Sequence, residues 1–254
     1  MPLIVSVLDC QPSGPVMGRV GSIKNGRKQK MLDVPRVVFY GASGWSYTIV
    51  QSHGFPQPLC EPVAYIDDFR GGCGQRLNDV PIISFDEWKN KFSELECFVT
   101  IADPKSRRRL ADKILVAGGS FVRLHERPEF SFPGVSIDAG TIVFKPIFIG
   151  PNTTVGKHVL VMAMCSIGHD VIIADYVTLC PSCTVSGYVV IEQGVFVGAG
   201  TTIVNGKLGK PLIIGAGTKI SAGAVVTKSI PPNASVAGNP ARPLRELARA
   251  RRAD

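Results

Sequence analysis

The sequence predicts a small parallel α/β domain followed by a parallel β-helix. Two observations lead to this fold class. Apolar strand-like runs alternate with helix-like runs over residues 35–125, and an apolar position recurs every six residues from residue 137 onward. Alternating strands and helices indicate a parallel sheet covered by helices, whereas a strict six-residue period is typical of a β-helix.

Residues 1–34 precede both parts and are predicted to form a weakly ordered extension. The stretch "GRVGSIKNGRKQK" is basic, contains three glycines and has no apolar period, so it lacks the pattern of a buried element. A basic arm that binds a partner is the alternative interpretation.

The α/β domain is predicted from residue 35 to residue 125. Its strands are rich in β-branched and aromatic residues, and its helices end at glycine or acidic turns. The predicted strands are "RVVFYGASG", "PVAYIDDF", "VPII" and "CFVTIAD", and the predicted helices are "YTIVQSHGF", "SFDEWKNKF" and "SRRRLADKILVAGG".

The β-helix is predicted over residues 126–254, with the last residues forming a short helix that closes the final coil. Twelve aliphatic residues follow one another at intervals of six without a miss, and each is expected to point inward. They are Ile137, Val143, Ile149, Val155, Val161, Ile167, Ile173, Leu179, Val185, Ile191, Val197 and Ile203. After "NGKLGKPL" the period resumes at Ile214, Ile220 and Val226. The spacing does not reveal the handedness.

The repeat also predicts which residues stack. If three hexads form one triangular coil, residues 18 apart lie one strand spacing apart, about 4.8 Å. In this register Gly187 stacks directly on His169. The interruption that starts at Asn205 should leave the β-helix one coil further on.

His169 is the candidate general base. The hexad phase assigns the inward positions to Cys165 and Ile167, so His169 belongs to an exposed corner, where it is either a surface histidine or a functional one. An imidazole accepts a proton near neutral pH. A glycine amide on the neighbouring coil could stabilise an oxyanion, and these two groups are what acyl transfer requires.

Three other motifs carry weaker signals. "GASGWS" lies between a strand and a helix, where backbone amides can bind phosphate, but it lacks the third glycine of a dinucleotide fingerprint. Asp67 and Asp68 end the next strand and are either ribose or base contacts or a simple turn. "CPSC" has C-x-x-C spacing, yet Cys183 occupies an inward position and no second pair exists, so no metal site is predicted.

Composition narrows the function classes. The net charge is +8, but residues 1–35 and 242–254 each contribute +3, so the centre is only mildly basic and a nucleic-acid partner is not expected. Seven scattered cysteines indicate reduced thiols in a cytoplasmic protein. No apolar run approaches the roughly 20 residues of a membrane span.

Taken together, residues 35–245 resemble the bacterial sugar-nucleotide acetyltransferases, of the sialic acid O-acetyltransferase and UDP-amino-sugar N-acetyltransferase type. The resemblance is carried by "YGASG", "YIDDFRG", "IADPKSRRRLADKI", the hexads with "GHD", and "GAVVTKSIPPNASVAGNPARPL". It implies a Rossmann-like N-terminal domain, a left-handed β-helix, a homotrimer, and acetyl-CoA as the acetyl donor.

The resemblance also implies roles for individual residues. His169 matches the family's base, Asp170 its acidic neighbour and Gly187 its oxyanion amide. The nucleotide sugar is expected to contact Gly41, Ser43, Gly44, Asp67, Asp68 and Asp103. Acetyl-CoA is expected to contact Gly187, Ala199, Gly217, Ala222 and Lys228.

The predicted function is acetyl transfer from acetyl-CoA to the amine of a nucleotide-linked amino sugar, with a UDP-linked 4-amino-deoxy sugar as the expected substrate. The alternative within the same family is sugar O-acetylation of the sialic acid type. A sugar-nucleotide-binding scaffold without catalysis is the alternative from another class, and the intact His169 argues against it.

Overall fold

The computed structural model describes residues 35–42, 46, 60–69, 73–123 and 133–250. The predicted extension 1–34 and the helix predicted at 47–55 lie outside these ranges. The described residues form a five-stranded sheet with two helices, followed by a β-helix of two- and three-residue strands and a short C-terminal helix.

The sheet has the strand order β3-β4-β2-β1-β5. Strands β1, β2, β4 and β5 are parallel, as predicted, and β3 is antiparallel to β4. The bounds are β1 Arg36–Tyr40, β2 Glu61–Ile66, β3 Arg76–Leu77, β4 Val80–Ile83 and β5 Cys97–Val99. The β3–β4 hairpin was not predicted; its turn residues Asn78 and Asp79 both have positive φ, as a two-residue type I′ turn requires.

Two helices follow their strands at the predicted places. Helix α1 (Phe85–Lys91) begins after Ser84, whose hydroxyl accepts a hydrogen bond from the Glu87 amide. Helix α2 (Pro104–Val116) begins after Asp103, which accepts from the Ser106 amide, and has proline in its first turn. Gly118, with φ +85°, follows the end of α2 and supplies the predicted glycine stop.

The β-helix has three faces that the chain visits in turn. The first face contains β6 Ser136–Ile137, β9 Thr154–Val155, β12 Ile172–Ile173, β15 Val189–Ile191 and β18 Leu212–Ile214. The second contains β7 Ile142–Val143, β10 Leu160–Val161, β13 Thr178–Leu179, β16 Phe196–Val197, β19 Lys219–Ile220, β21 Ser235–Ala237 and β22 Arg242–Pro243. The third contains β8 Phe148–Ile149, β11 Ser166–Ile167, β14 Thr184–Val185, β17 Thr202–Ile203 and β20 Val225–Val226.

The predicted inward positions and stacking rule are confirmed. All fifteen predicted inward aliphatics are at most 3% exposed. Strands 18 residues apart pair in parallel, for example Ile167 with Val185. After the interruption the offset becomes 23, as in the pairing of Ile191 with Ile214, because the chain leaves the coil to form a hairpin closed by Lys207 and Lys210.

The three corners between the faces are named for use below. Corner A joins the third face to the first and contains Pro151–Asn152, His169–Asp170 and Gly187–Tyr188. Corner B joins the first face to the second and contains Lys157–His158 and Asp175–Tyr176. Corner C joins the second face to the third and contains Ala163–Met164 and Ala199–Gly200.

The sheet and α2 pack on the second face and on corner B. Ile142, Leu160 and Thr178 occupy outward positions of the second face and are nevertheless buried. At the other end, β22 pairs antiparallel with β21, and helix α3 (Leu244–Ala250) follows directly, as the predicted closing helix. Within the described residues, no helix has the length and apolarity needed to cross a membrane.

Candidate active site

His169 projects from corner A, between β11 and β12. Its side chain is about half exposed, and Ile167 two residues earlier is fully buried. Asp170 completes the turn with φ +54°, a conformation that aspartate tolerates better than most residues. The hexad repeat therefore turns both side chains outward, which the sequence predicted for His169.

The two side chains contact each other directly. Nδ1 of His169 lies 2.6 Å from Oδ2 of Asp170, and the amide of Asn152 on the coil below donates to the other Asp170 oxygen at 3.3 Å. The hydrogen bond from His169 lowers the pKa of Asp170, so this carboxylate stays ionised at neutral pH. An ionised acceptor at Nδ1 holds the proton there and leaves the lone pair of a neutral imidazole on Nε2.

Nε2 faces Gly187, one coil above. A Cβ atom at Gly187 would lie 2.8 Å from Nε2, so only glycine leaves this space open. The Gly187 carbonyl accepts a hydrogen bond from the Gly206 amide, whereas the Gly187 N–H donates to no backbone carbonyl of the described residues. A base nitrogen and an uncommitted amide donor on adjacent coils can together serve proton removal and oxyanion stabilisation.

Tyr188 was not predicted as a site residue. Its ring packs edge-on against the His169 imidazole, with centroids 5.0 Å apart. The stacking rule could have found it, because Tyr188 lies 18 residues after Asp170.

A second candidate region is a cleft of about 220 Å³ at the carboxyl edge of the sheet. In the sheet, β1 lies between β2 and β5, so the strand order reverses at β1. The cleft opens at this reversal, which is the point at which ligands bind in open parallel sheets. Gly41, Asp67, Phe69, Ile101 and Arg109 line it. Gly41 has φ +120°, and a Cβ atom there would lie 2.8 Å from the Thr100 hydroxyl, so the chain requires glycine at this position.

The predicted substrate contacts divide into four groups. Gly41 and Asp67 line the cleft. Asp68 is held by Tyr40, Lys113 and the Phe85 amide, and the hydrogen bonds from Lys113 and Tyr40 outweigh burial and lower its pKa. Asp103 caps α2, and Ser43 and Gly44 lie outside the described residues.

Phe69 and Arg109 are cleft residues that the sequence did not indicate. Phe69 is 64% exposed, and the Arg109 guanidinium lies 5.6 Å from its ring centroid. Arg109 is one of three consecutive arginines in α2, and only the helical phase, which turns Arg107 inward, separates their roles.

The residues predicted to contact acetyl-CoA do not form one surface within the chain. Ala199 and Ala222 lie one above the other on corner C, where the Gly223 amide donates to the Ala199 carbonyl. Gly217 lies on corner B, beside a cleft of about 350 Å³ that Lys105 and Arg108 also line. Lys228 lies on corner A, above the His169 column.

Cys183 has the inward placement that the hexad phase predicted, whereas Cys180 is only partly buried. Cys183 is fully buried and donates to the Gly198 carbonyl, and a hydrogen bond with Cys165 together with burial raises the pKa of its thiol. Among the residues that the structure describes, no three histidine, cysteine or acidic side chains are grouped to hold a metal ion.

Comparison with known proteins gives matches to the β-helix and to most of the chain. The family model "Bacterial transferase hexapeptide (six repeats)" matches residues 152–187, which include His169, Asp170 and Gly187. GDP-perosamine N-acetyltransferase of Escherichia coli O157:H7 is 34% identical over 184 residues, which is 72% of this chain and 82% of the relative.

Solved structures share the fold. The WeeI protein of Acinetobacter baumannii AYE is 28% identical with a TM-score of 0.62, covering 83% of this chain and all of that protein. A perosamine N-acetyltransferase variant from Caulobacter crescentus, solved with CoA and GDP-perosamine, is 23% identical with a TM-score of 0.72, covering 83% of this chain and 97% of that protein. These matches identify the repeat as the left-handed β-helix of the acetyltransferases.

Sequence identity over most of a relative, a shared fold and the outward His169–Asp170 pair agree with the resemblance found in the sequence. The chain belongs to the family of bacterial sugar-nucleotide acetyltransferases.

Proposed function

We propose that this enzyme transfers the acetyl group of acetyl-CoA to the amine of a nucleotide-linked amino sugar. The observation that carries the proposal is the His169–Asp170 pair, whose Nε2 faces Gly187. The relatives support the same chemistry, because one is named GDP-perosamine N-acetyltransferase and another was solved with CoA and GDP-perosamine.

The reaction proceeds by addition and elimination at the thioester. The sugar amine attacks the carbonyl carbon of acetyl-CoA, and Nε2 of His169 takes the proton that the amine loses. The Gly187 N–H donates to the oxyanion of the tetrahedral intermediate. The carbon–sulfur bond then breaks, His169 returns the proton to the thiolate, and the N-acetylated sugar nucleotide and CoA leave. Asp170 holds the imidazole in the reactive tautomer. None of these steps uses a metal ion.

The nucleotide occupies the cleft of the α/β domain, which we assign as a Rossmann-like domain over residues 35–125. Asp67 offers a carboxylate, Phe69 an exposed ring, and Arg109 a cation for the diphosphate. A GDP-linked 4-amino-deoxy sugar is the first candidate, because the 34% identical relative is named for GDP-perosamine. The UDP-linked sugar expected from the sequence is the second.

We further propose a homotrimer in which two subunits form each active site. Within one chain the α/β domain covers the second face, and His169 lies on corner A, the edge opposite that face. A sugar bound in the cleft therefore meets the His169 of a neighbouring subunit.

Thiol release from acetyl-CoA, measured with a panel of sugars, tests the proposed function. The panel contains GDP- and UDP-linked 4-amino-deoxy sugars, the matching 4-hydroxy sugars, and free sialic acid. Acetylation of an amino sugar nucleotide with a matching mass increase supports the proposal. Turnover of the hydroxyl acceptors alone would establish the O-acetyltransferase alternative. If no sugar on the panel causes thiol release, the non-catalytic scaffold is the remaining interpretation.

The thiols of Cys97, Cys165 and Cys183 are not in disulfides, which suits a reducing compartment, and we place this step of glycan biosynthesis in the cytoplasm.

A further inference from the structure

Arg107 is the most completely hydrogen-bonded charged side chain of the described residues, and nothing in the reaction above uses it. It lies on the inner side of α2, and 1% of its surface is exposed. Burial lowers the pKa of its guanidinium to about 10, so the group is still a cation at neutral pH.

The guanidinium joins the α/β domain to the β-helix. On the α/β side, Nη1 donates to the carbonyls of Ile101 at 2.7 Å and Ala102 at 3.0 Å. On the β-helix side, Nε donates to the His158 carbonyl at 2.8 Å. Nη2 donates to the carbonyls of Tyr176 and Val177 at 2.8 and 3.0 Å and to the Thr178 hydroxyl at 2.9 Å.

Thr178 strengthens the same connection. Its hydroxyl accepts from Arg107 and donates to the Ala102 carbonyl at 2.7 Å, so one side chain on β13 contacts both the arginine and the loop after β5. Thr178 points outward from the β-helix yet is fully buried. Arg107 and Thr178 thus connect this loop to corner B, and none of their hydrogen-bond partners is a carboxylate.

The loop held in this way is a wall of the nucleotide cleft. Ile101 lines the cleft, and its side chain lies 3.0 Å from the position that a Cβ atom would take at Gly41. The preceding Thr100 hydroxyl donates to the carbonyls of Tyr40 and Gly41. A shift of the Ile101–Ala102 backbone would therefore move the cleft relative to the β-helix.

We propose that Arg107 and Thr178 are positioning residues that fix the nucleotide cleft against the β-helix for catalysis. The inference rests on the proposed function, in which the cleft of one subunit presents its sugar to the His169 of another. A rigid cleft is then needed on each subunit, because a misplacement of about 1 Å can lower a rate about 10²-fold. Neither residue touches substrate, so nucleotide affinity should not depend on them.

The test compares Arg107→Lys with Arg36→Lys, the same change at an exposed arginine that begins β1, at the edge of the sheet opposite the cleft. Lysine has three donors for six acceptor atoms and cannot reproduce the fork. We expect Arg107→Lys to lower kcat about 10²-fold. The Kd of GDP and UDP, measured by calorimetry, should change less than about threefold, and Arg36→Lys should leave both quantities unchanged.

A second pair keeps the test decisive if Arg107→Lys does not fold. Thr178→Val has nearly the same shape and removes two hydrogen bonds, whereas Thr178→Ser retains the hydroxyl. We expect Thr178→Val to lower kcat about tenfold, and Thr178→Ser to restore most of it. An unchanged kcat in every variant that folds overturns the proposal, as does a nucleotide affinity that falls in parallel with kcat.

Amide hydrogen exchange provides a readout that needs no substrate. Thr178→Val should increase exchange at the Thr100 and Arg107 amides, which donate to the Tyr40 and Asp103 carbonyls on either side of the Ile101–Ala102 loop. The Val204 amide on the next coil, which donates to Val226, should keep the wild-type rate. If exchange at Thr100 and Arg107 increases but the protein acetylates no sugar on the panel, the proposed function is refuted and the connection between the α/β domain and the β-helix is retained. Unchanged exchange at both amides overturns that connection.

Discussion

His169 and Asp170 show how a repeat brings two ordinary side chains together as the proposed catalytic pair. Corner geometry places both outside the core, and the positive φ of Asp170 turns its carboxylate back towards the preceding imidazole. The side chains of adjacent residues need not contact each other. Here the left-handed backbone of Asp170 brings its Oδ2 to 2.6 Å from Nδ1 of His169. The carboxylate selects the tautomer, and Gly187 leaves space beside Nε2.

Replacing the base should remove most of the rate. His169→Ala is expected to lower kcat about 10²–10⁴-fold, because the amine then has no positioned proton acceptor. Thiol release under saturating substrates gives kcat, and calorimetry with GDP should show unchanged nucleotide binding. A loss smaller than about tenfold would exclude His169 as the general base.

The role of Asp170 has its own test. Asp170→Asn retains the shape, but an amide can donate to Nδ1 and thereby favour the tautomer that has its proton on Nε2. We expect kcat to fall by about 10²-fold or more without a change in melting temperature. Asn152→Ala, which removes only the weaker contact to Asp170, serves as the control and should retain most of the activity. Near-wild-type turnover by Asp170→Asn would limit the carboxylate to a surface role.

His158 should make stability depend on pH. It is 3% exposed and packs between Tyr176 and Phe121, its Nδ1 has no partner among the described residues, and burial lowers its pKa from 6.5 to about 4. Between these two values the unfolded chain binds a proton that the folded chain does not. Stability is therefore lost as the pH falls from about 6.5 to about 4, by about 3 kcal/mol from this residue.

His158→Asn isolates that contribution, because asparagine tolerates the left-handed backbone (φ +53°) and does not titrate. Urea unfolding at pH 7.5 and pH 4 should show the stability difference between wild type and variant shrinking by about 3 kcal/mol on acidification. Parallel pH profiles for the two proteins would contradict a buried neutral His158.

At the scale of the element, each strand of the β-helix is too short to be stable alone. Most strands contain two residues, and each pairs with the strands 18 residues before and after it. Of the two residues in such a strand, one points inward and the other outward. The contribution of a strand to stability therefore comes from its inward aliphatic side chain and from its backbone pairing.

Strand β14 allows a direct comparison of the two orientations. Val185 points inward and is 1% exposed, whereas Thr184 points outward and is exposed, and the two side chains are almost the same size. Val185→Ala should lower the free energy of unfolding by about 2–3 kcal/mol through lost burial and a residual cavity. Thr184→Ala should cost less than about 0.5 kcal/mol in the same denaturant titration. Equal costs would mean that the inward assignment does not determine stability.

At the scale of the whole molecule, the cleft and the base lie on opposite sides of one β-helix. The α/β domain packs on the second face through Ile142, Leu160 and the Arg107 contacts, and corner A is the edge furthest from that face. The proposed trimer resolves this separation by pairing the cleft of one subunit with corner A of the next.

Mixed trimers test this arrangement. Co-expression of His169→Ala with Arg109→Glu, a charge reversal at the cleft, combines two chains that are each inactive alone. If each site uses two subunits, random assembly restores about a quarter of the sites. Tandem purification removes the unmixed trimers, and each mixed trimer has one complete site out of three, so its activity should approach about a third of the wild-type value. Inactive mixed trimers would show that one chain contains a complete site.

The sequence predicted most of the β-helix because its information is local. An aliphatic every six residues indicates what points inward, and counting by 18 along the chain places Gly187 over His169. The same counting would also have found Tyr188. The β3–β4 hairpin escaped prediction because "LNDV" lacks the glycine that usually marks a two-residue turn.

By itself, then, the sequence determined the class of each half, the inward set of the β-helix, and the corner at which a glycine lies over His169. These properties follow from spacing along the chain, which the covalent backbone fixes. The tertiary structure decided which face the α/β domain covers and that Arg107 joins the two halves. It also decided that Asp68 is held by Lys113 and Tyr40, and that the predicted acetyl-CoA contacts lie on three corners. Such contacts connect residues as far apart as Arg107 and Tyr176, 69 positions along the chain, and only packing brings them together.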